Sequence, residues 1–233
     1  MNINEVITDT RVFAQYYILR DGFEFKPLTH PANIYDAIVI RYPGNIQCNY
    51  RIPKTKRSLS EHIELINKLK LEKAIVFAND ISFITQCTSL KYISIIPADD
   101  AFDNFDFSPL YDLPEIKTLE CKTQYGLRDE LTSSVDYKNI SGLVDLSISG
   151  KGHLNYYQVD SLKSLRISNY QQNDLTKMFS SKILDSLLMI QCKIKTLDGI
   201  HQSDKMQCLY LDYNRSLQDI SALASVKKTL RAL

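Results

Sequence analysis

The chain has 233 residues, 44% of them hydrophobic, and 28 Lys+Arg against 27 Asp+Glu. That length suits one large domain or two small ones, and the cancelling charges remove any general electrostatic attraction to nucleic acid or an anionic membrane. No apolar run approaches the ~18 residues of a membrane helix. The opening segment, MNINEVITDTRVFAQYY, carries Glu5 and Asp9 and no apolar core, so no secretory leader is read there. Five cysteines without a CxxC (Cys48, Cys87, Cys121, Cys192 and Cys208) leave one over from any full pairing. Free thiols and a reducing, cytoplasmic setting are therefore expected.

The first element in chain order is YDAIVIRYP, residues 35–43. Ile38, Ile40 and Tyr42 share one face and Ala37 and Val39 the other, which predicts a strand buried on both sides. NIQCNYRIP is its expected partner across the Pro43-Gly44 turn. The basic run RIPKTKR, with Arg51, Lys54, Lys56 and Arg57, reads as a solvated loop ahead of a helix. In SLSEHIELINKLKLE that helix begins, with Ser58 and Glu61 spaced as a capping box. Leu59, Ile63, Ile66 and Leu69 form its expected apolar face, with Leu65 off it.

From Leu71 a different pattern recurs. MQCLYLDYN begins at Met206, LDSLLMIQC at Leu184 and LEKAIVFAN at Leu71. Weaker copies begin at Leu90, Ile116, Leu143 and Leu162, and LRAL at Leu230 opens an eighth. The starts are 19, 26, 27, 19, 22, 22 and 24 residues apart. Within each copy two apolar residues separated by one position share a strand face and point inward. Strands are predicted near residues 74–77, 92–95, 118–121, 145–148, 164–167, 186–190 and 208–212.

The mean spacing, about 22.7 residues, and the motif LxxLxLxxN resemble the leucine-rich-repeat family in its short, bacterial-type form. The resemblance covers residues 71–233. Asn214 and Asn79 fill the last motif position and Cys192 is an accepted substitute, whereas Ala98, Gln124, Lys151 and Tyr170 depart from it. The resemblance implies an α/β class fold: a leucine-rich-repeat solenoid of about seven coils, one strand per coil in a curved parallel sheet. The opposite wall is expected to be extended or 3₁₀, without long helices. Residues 1–70 are then an N-terminal α+β cap of strands plus one helix, because the first coil would otherwise expose its core.

No catalytic constellation is read. His30, His62, His153 and His201 are scattered and read as surface or loop positions, with no metal-ligand spacing. G-x-S-x-G is absent, Cys121 points inward as an inert thiol, and Cys208 points outward with nothing nearby in sequence to activate it. SGKGH, residues 149–153, lacks the P-loop spacing and reads as a polar turn. DDAFDNFD, residues 99–106, lacks the glycine and glutamate of a calcium loop and reads as an insertion whose Phe102 and Phe105, with the following Phe107, dip into the core. No metal and no cofactor are expected.

The outward strand residues remain. One column is Ile75, Ser94, Glu120, Ser147, Arg166, Leu188 and Tyr210, and the next is Phe77, Ile96, Lys122, Ser149, Ser168, Ile190 and Asp212. The resemblance implies a non-enzymatic protein–protein interaction module gripping a partner on this concave face. The candidate contacts are Leu188, Ile190, Tyr210, Asp212 and Tyr213, with Arg166, Glu120 and Tyr92. The chain's own termini, or a second copy docked through the C-terminal coils, are the competing occupants. The other readings are an immunity or antitoxin protein that neutralises a toxin, and an effector or enzyme that uses the repeats only to hold substrate.

Overall fold

A computed structural model describes residues 37–41, 58–97, 105–122, 134–149, 153–179 and 182–232. The expected NIQCNYRIP strand, the RIPKTKR loop, Phe102, Gly150 to Gly152 and the motif positions Ala98, Gln124 and Lys151 lie outside these residues, as do the side chains of Ile75, Phe77 and Lys122. The chain divides into two compact units, Met1–Ser133 and Ser134–Leu233.

In the first unit, strands β1 (Ala37–Arg41), β2 (Lys73–Ala78), β3 (Tyr92–Pro97) and β4 (Thr118–Lys122) are parallel neighbours in that order. Their alternation places Ala74, Val76, Ile93, Ile95, Leu119 and Cys121 in the core, none more than 3% exposed. In the second unit β6 (Asp145–Ser149), β8 (Ser164–Ser168), β9 (Ser186–Ile190) and β10 (Cys208–Asp212) are likewise parallel in sequence order. A short second ladder joins β5 (Val135–Asp136) to β7 (His153–Leu154). One parallel strand per coil, returned by short turns, is the leucine-rich-repeat solenoid expected from the sequence. The observed strands contain or match all seven predicted spans.

Most described return segments carry a 3₁₀ turn, Ser82–Gln86 and Ser108–Leu110 in the first unit and Tyr137–Asn139, Tyr156–Gln158, Ile200–Gln202 and Ser221–Ser225 in the second, while the return around Asp174 is a non-helical turn. Several are started by one device. The Asp80 carboxylate accepts from the Ser82 N–H and hydroxyl at 2.8 Å, and Asp106 does the same for Ser108 at 2.8 and 2.9 Å. Asp174 accepts from Thr176, and Asp219 from the Ser221 N–H. A carboxylate two residues upstream takes an N–H that the turn would leave unsatisfied. Asp106 lies in the aspartate-rich insertion, and there its role is this cap. Phe105 and Phe107 are 2% and 4% exposed and dip into the core as expected.

Helix α1 (Leu59–Leu69) starts at the predicted capping box: Ser58 Oγ accepts from the Glu61 N–H at 3.3 Å and Glu61 Oε2 accepts from the Ser58 N–H at 2.6 Å. Its buried face differs from the expected one. His62, Leu65 and Ile66 are buried, while Leu69 is 43% exposed. Of the expected Leu59-Ile63-Ile66-Leu69 stripe Ile66 is buried and Leu59 and Ile63 are half-buried, but the core meets the neighbouring His62-Leu65-Ile66 face, and His62 is an interior residue, not a surface one. The helix occupies the crossover that lets β1 and β2 run parallel, a pairing that a tight turn cannot connect.

Backbone carbonyls stitch successive coils. Glu72 O takes the N–H groups of both Lys91 and Tyr92, and Lys91 O those of Lys117 and Thr118. In the second unit Val144, Lys163, Asp185 and Gln207 each accept two donors from the following coil at 2.7 to 3.1 Å. The Gln207 acceptor receives Arg231 and Ala232, so LRAL enters the same ladder as a further strand start. Serine hydroxyls add a second stitch: Ser89 Oγ donates to Leu71 O at 2.8 Å, Ser161 Oγ to Leu143 O at 2.7 Å, and Ser203 Oγ to Leu184 O.

The motif asparagine acts as expected at Asn214. Its Oδ1 accepts from the Cys192 N–H at 2.7 Å and its Nδ2 donates to Met189 O at 3.0 Å, both in the preceding coil. Cys192, one coil earlier, sends its thiol toward Ile167 O and Ile190 O. Asn79, at the same motif position in the first unit, is exposed instead.

Candidate functional site

Alternation assigns the outward face of β8, β9 and β10. Leu165, Leu187 and Leu209 form one inward row, each at most 1% exposed. Their neighbours Arg166, Leu188 and Tyr210 pair side by side across the three strands, and so do Ser168, Ile190 and Asp212. Leu188, Ile190, Tyr210, Asp212 and Arg166 are all partly exposed, whereas Ser168 is buried. The row thus passes from polar at β6 and β8 (Ser147, Ser149, Arg166) to apolar and aromatic at β9 and β10.

Tyr213 follows Asp212 and is 65% exposed, the most exposed of the large hydrophobic residues described. Its φ is 52°, a left-handed conformation shared by Asn169 and Gln191, the residues that leave β8 and β9. Asparagine adopts this conformation readily, while a tyrosine there costs roughly 1–2 kcal/mol. The turn geometry alone would be better served by a small residue at position 213.

Two further candidates belong to the first unit. Glu120 is buried at 3% exposure, so it is not an open rim contact. Its Oε2 accepts from the Ser94 hydroxyl at 2.7 Å and from the Tyr92 hydroxyl at 3.3 Å. Ser94 and Glu120 face each other in register across β3 and β4, and Tyr92 lies two residues before Ser94 on the same face of β3, opposite Thr118. A carboxylate holding two hydroxyls is an internal polar clasp. Aligning the repeats already places Ser94 beside Glu120; their burial depends on neighbours that the repeat pattern does not specify.

His153 is also more than a loop residue. Its Nε2–H donates to Ser149 O at 3.0 Å, and its Nδ1 lies 2.8 Å from the Tyr137 hydroxyl, which donates to it when the ring is neutral. Desolvation lowers its pKa below the ordinary value, partly offset by the bond to Ser149. Between about pH 6.5 and the lower folded value the unfolded chain binds a proton that the folded chain does not. This contribution to stability is therefore whole above pH 6.5 and is lost as pH falls through that window. Urea unfolding midpoints of the wild type should drop from pH 7.5 to pH 5.5 more than those of His153→Gln. Parallel pH profiles would remove His153 as the cause.

Cys87 and Cys192 are buried free thiols and Cys121 is also buried, and burial pushes Cys87 and Cys192 up to about 11, where the reactive thiolate is scarce. Cys208 is a free thiol of intermediate exposure. Among the described residues no three His, Cys, Asp or Glu side chains gather to hold a metal ion, and no helix is long and apolar enough to cross a membrane.

No protein-family model matches the chain, and no curated protein matches it by sequence. Among solved structures it is similar to an internalin, InlF, from Listeria monocytogenes. That protein is 17% identical, with 99% of this chain and 76% of that one covered at a TM-score of 0.43. A functional domain of InlJ from Listeria monocytogenes, described as including a cysteine ladder, is 10% identical. There 69% of this chain and 52% of that one are covered at a TM-score of 0.35, so the match spans about half of the InlJ domain.

Proposed function

We propose that the chain is a non-enzymatic binding module that grips a partner protein on the outward face of β8, β9 and β10. The observation that carries the reading is the change of that face from polar to apolar and aromatic at Leu188, Ile190, Tyr210 and Tyr213. Solubility alone favours the polar composition seen at Ser147 and Ser149. The cost of holding Tyr213 left-handed and exposed supports the same reading, because strained exposed aromatics are retained where something outside the molecule uses them. Arg166 and Asp212 supply charged groups at the edges of the patch, as interfaces commonly arrange them.

The test pairs capture with titration. Proteins retained from the native cell by the wild type and by Leu188→Ala/Tyr210→Ala are compared, and the protein lost is purified and titrated against both. A weakening of a few kcal/mol is expected, the scale of interface hot spots. A companion variant, Tyr213→Asn, should bind less tightly while melting no lower than wild type, because asparagine suits the left-handed turn. Unchanged affinity in both variants would refute the assignment of this face. A change in oligomeric state on mutation would instead make a second copy of the chain the occupant.

A further inference from the structure

Taking the proposed docking face as its basis, we infer that the partner inserts a basic side chain, Lys or Arg, against Asp212, with its aliphatic stem lying on Leu188 and Ile190 beside the Tyr210 ring. Tyr210 and Asp212 are two positions apart on β10 and share its outward face, roughly 7 Å from one another along the strand. Leu188 stands beside Tyr210 and Ile190 beside Asp212 on β9, one strand spacing of roughly 4.8 Å away. Two aliphatic side chains, one tyrosine and one carboxylate thus form a contiguous patch with an acid at its margin.

Among the described residues no cation compensates the charge on this patch. The Asp212 backbone oxygen accepts from the Gln191 N–H at 2.9 Å, but no ion pair engages its carboxylate among the described residues. A partly exposed carboxylate next to apolar surface is complementary to a long cationic side chain, whose methylene stem covers apolar groups while its head meets the acid. The tyrosine ring adds attraction for the same cation. Arg166 lies two strands from Asp212 and one row away, roughly 12 Å by strand geometry. The Asp212 end, not the Arg166 end, is where a basic group is complementary. An acidic segment is therefore the wrong chemistry for the Asp212 end.

The experiment selects a displayed library of random decapeptides on the full chain, with Tyr210→Ala as the reference for where peptides bind and Asp212→Lys as the charge-reversed variant. Among the described residues no hydrogen bond or ion pair engages the Asp212 side chain, so Asp212→Lys should melt with the wild type. Selected peptides that need Tyr210 should carry Lys or Arg beside a bulky apolar residue and lose roughly tenfold or more in affinity for Asp212→Lys. Replacing the peptide's basic residue by Glu should restore binding to Asp212→Lys. Peptides that need Tyr210 yet bind Asp212→Lys as well as wild type would overturn the basic-side-chain inference and leave the docking face standing. A selection that yields no peptide dependent on Tyr210 would overturn both.

Discussion

Gly199→Ala is expected to cost about 3 kcal/mol or more, a large share of the ~5–15 kcal/mol that holds a domain folded. Gly199 has φ of +99°, and an added Cβ would lie 2.5 Å from Thr176 N and 2.6 Å from both Leu175 C and Thr176 Cα. All three are backbone atoms, which cannot swing aside as a side-chain tip can. The left-handed conformation contributes roughly 1–2 kcal/mol and the overpacking roughly 1–3 kcal/mol. Relief would require the coil at Leu175 to move, yet its N–H donates to Asp198 O at 2.8 Å and its side chain is fully buried. Urea unfolding followed by far-UV circular dichroism measures the loss. A loss under about 1 kcal/mol would mean that the two backbone segments do not pack this closely.

The strand of each coil was legible because two signals coincide there: alternation within five or six residues and recurrence at about 22. Leu187 and Met189, or Leu209 and Leu211, announce a strand face whatever lies around them. The capping box of α1 was legible for the same local reason, since Ser58 and Glu61 stand three residues apart and bond to each other's backbone and side chain. Features set by distant segments were not. The face of α1 is chosen by what docks on it, so His62 is buried in place of the more apolar Leu69. The parallel partner of β1 on one edge is β2, more than thirty positions away, which no local turn rule can reach, while the adjacent segment expected to pair with β1 lies outside the described residues. The turn caps illustrate an intermediate case. The sequences DIS, DFS, DLT and DIS beginning at Asp80, Asp106, Asp174 and Asp219 are a visible signal of aspartate, apolar residue, hydroxyl residue. Its meaning emerges only when the bonds to Ser82, Ser108, Thr176 and Ser221 are seen.

The candidate face divides in the same way. That Leu188, Ile190, Tyr210 and Asp212 point away from the core follows from the inward places of Leu187, Met189 and Leu209. That Glu120 is closed off with Ser94 and Tyr92 does not, because alternation fixes direction and says nothing of what covers a residue. The strain at Tyr213 was hidden for a further reason. A left-handed residue is predictable when it is Gly or Asn, as at Asn169, and unmarked when the chain places a tyrosine there.

Leu187→Ala is expected to destabilise the protein by about 2–5 kcal/mol, and Ile220→Ala by less than about 1 kcal/mol. Both positions belong to the apolar wall of the second unit, but their coils differ in how far neighbouring coils cover them. Leu187 is 0% exposed in a coil flanked by the rows of Leu165 and Leu209, so its deletion leaves a cavity between two coils. Met189, Ile194, Leu197 and Ile200 of the same coil are also 0% exposed. The bridge between Thr196 and Asp219 sets the register of the next coil, which puts Ile220 at the position of Leu197. There Ile220 is 53% exposed, and Leu211, Leu217 and Leu223 are partly exposed. A side chain half in water leaves little cavity when shortened, because solvent already occupies one side. Leu209, buried at 1% although its coil is the one with the open wall, should behave like Leu187, since its own strand is covered by the Ala232 bridge. The three variants together test coil stacking: stability in a solenoid resides in contacts between neighbouring coils. Equal losses at Leu187 and Ile220 would show that the last coil is as fully covered in solution as the one before it. A negligible loss at both Leu187 and Leu209 would mean that the inward rows are assigned to the wrong face.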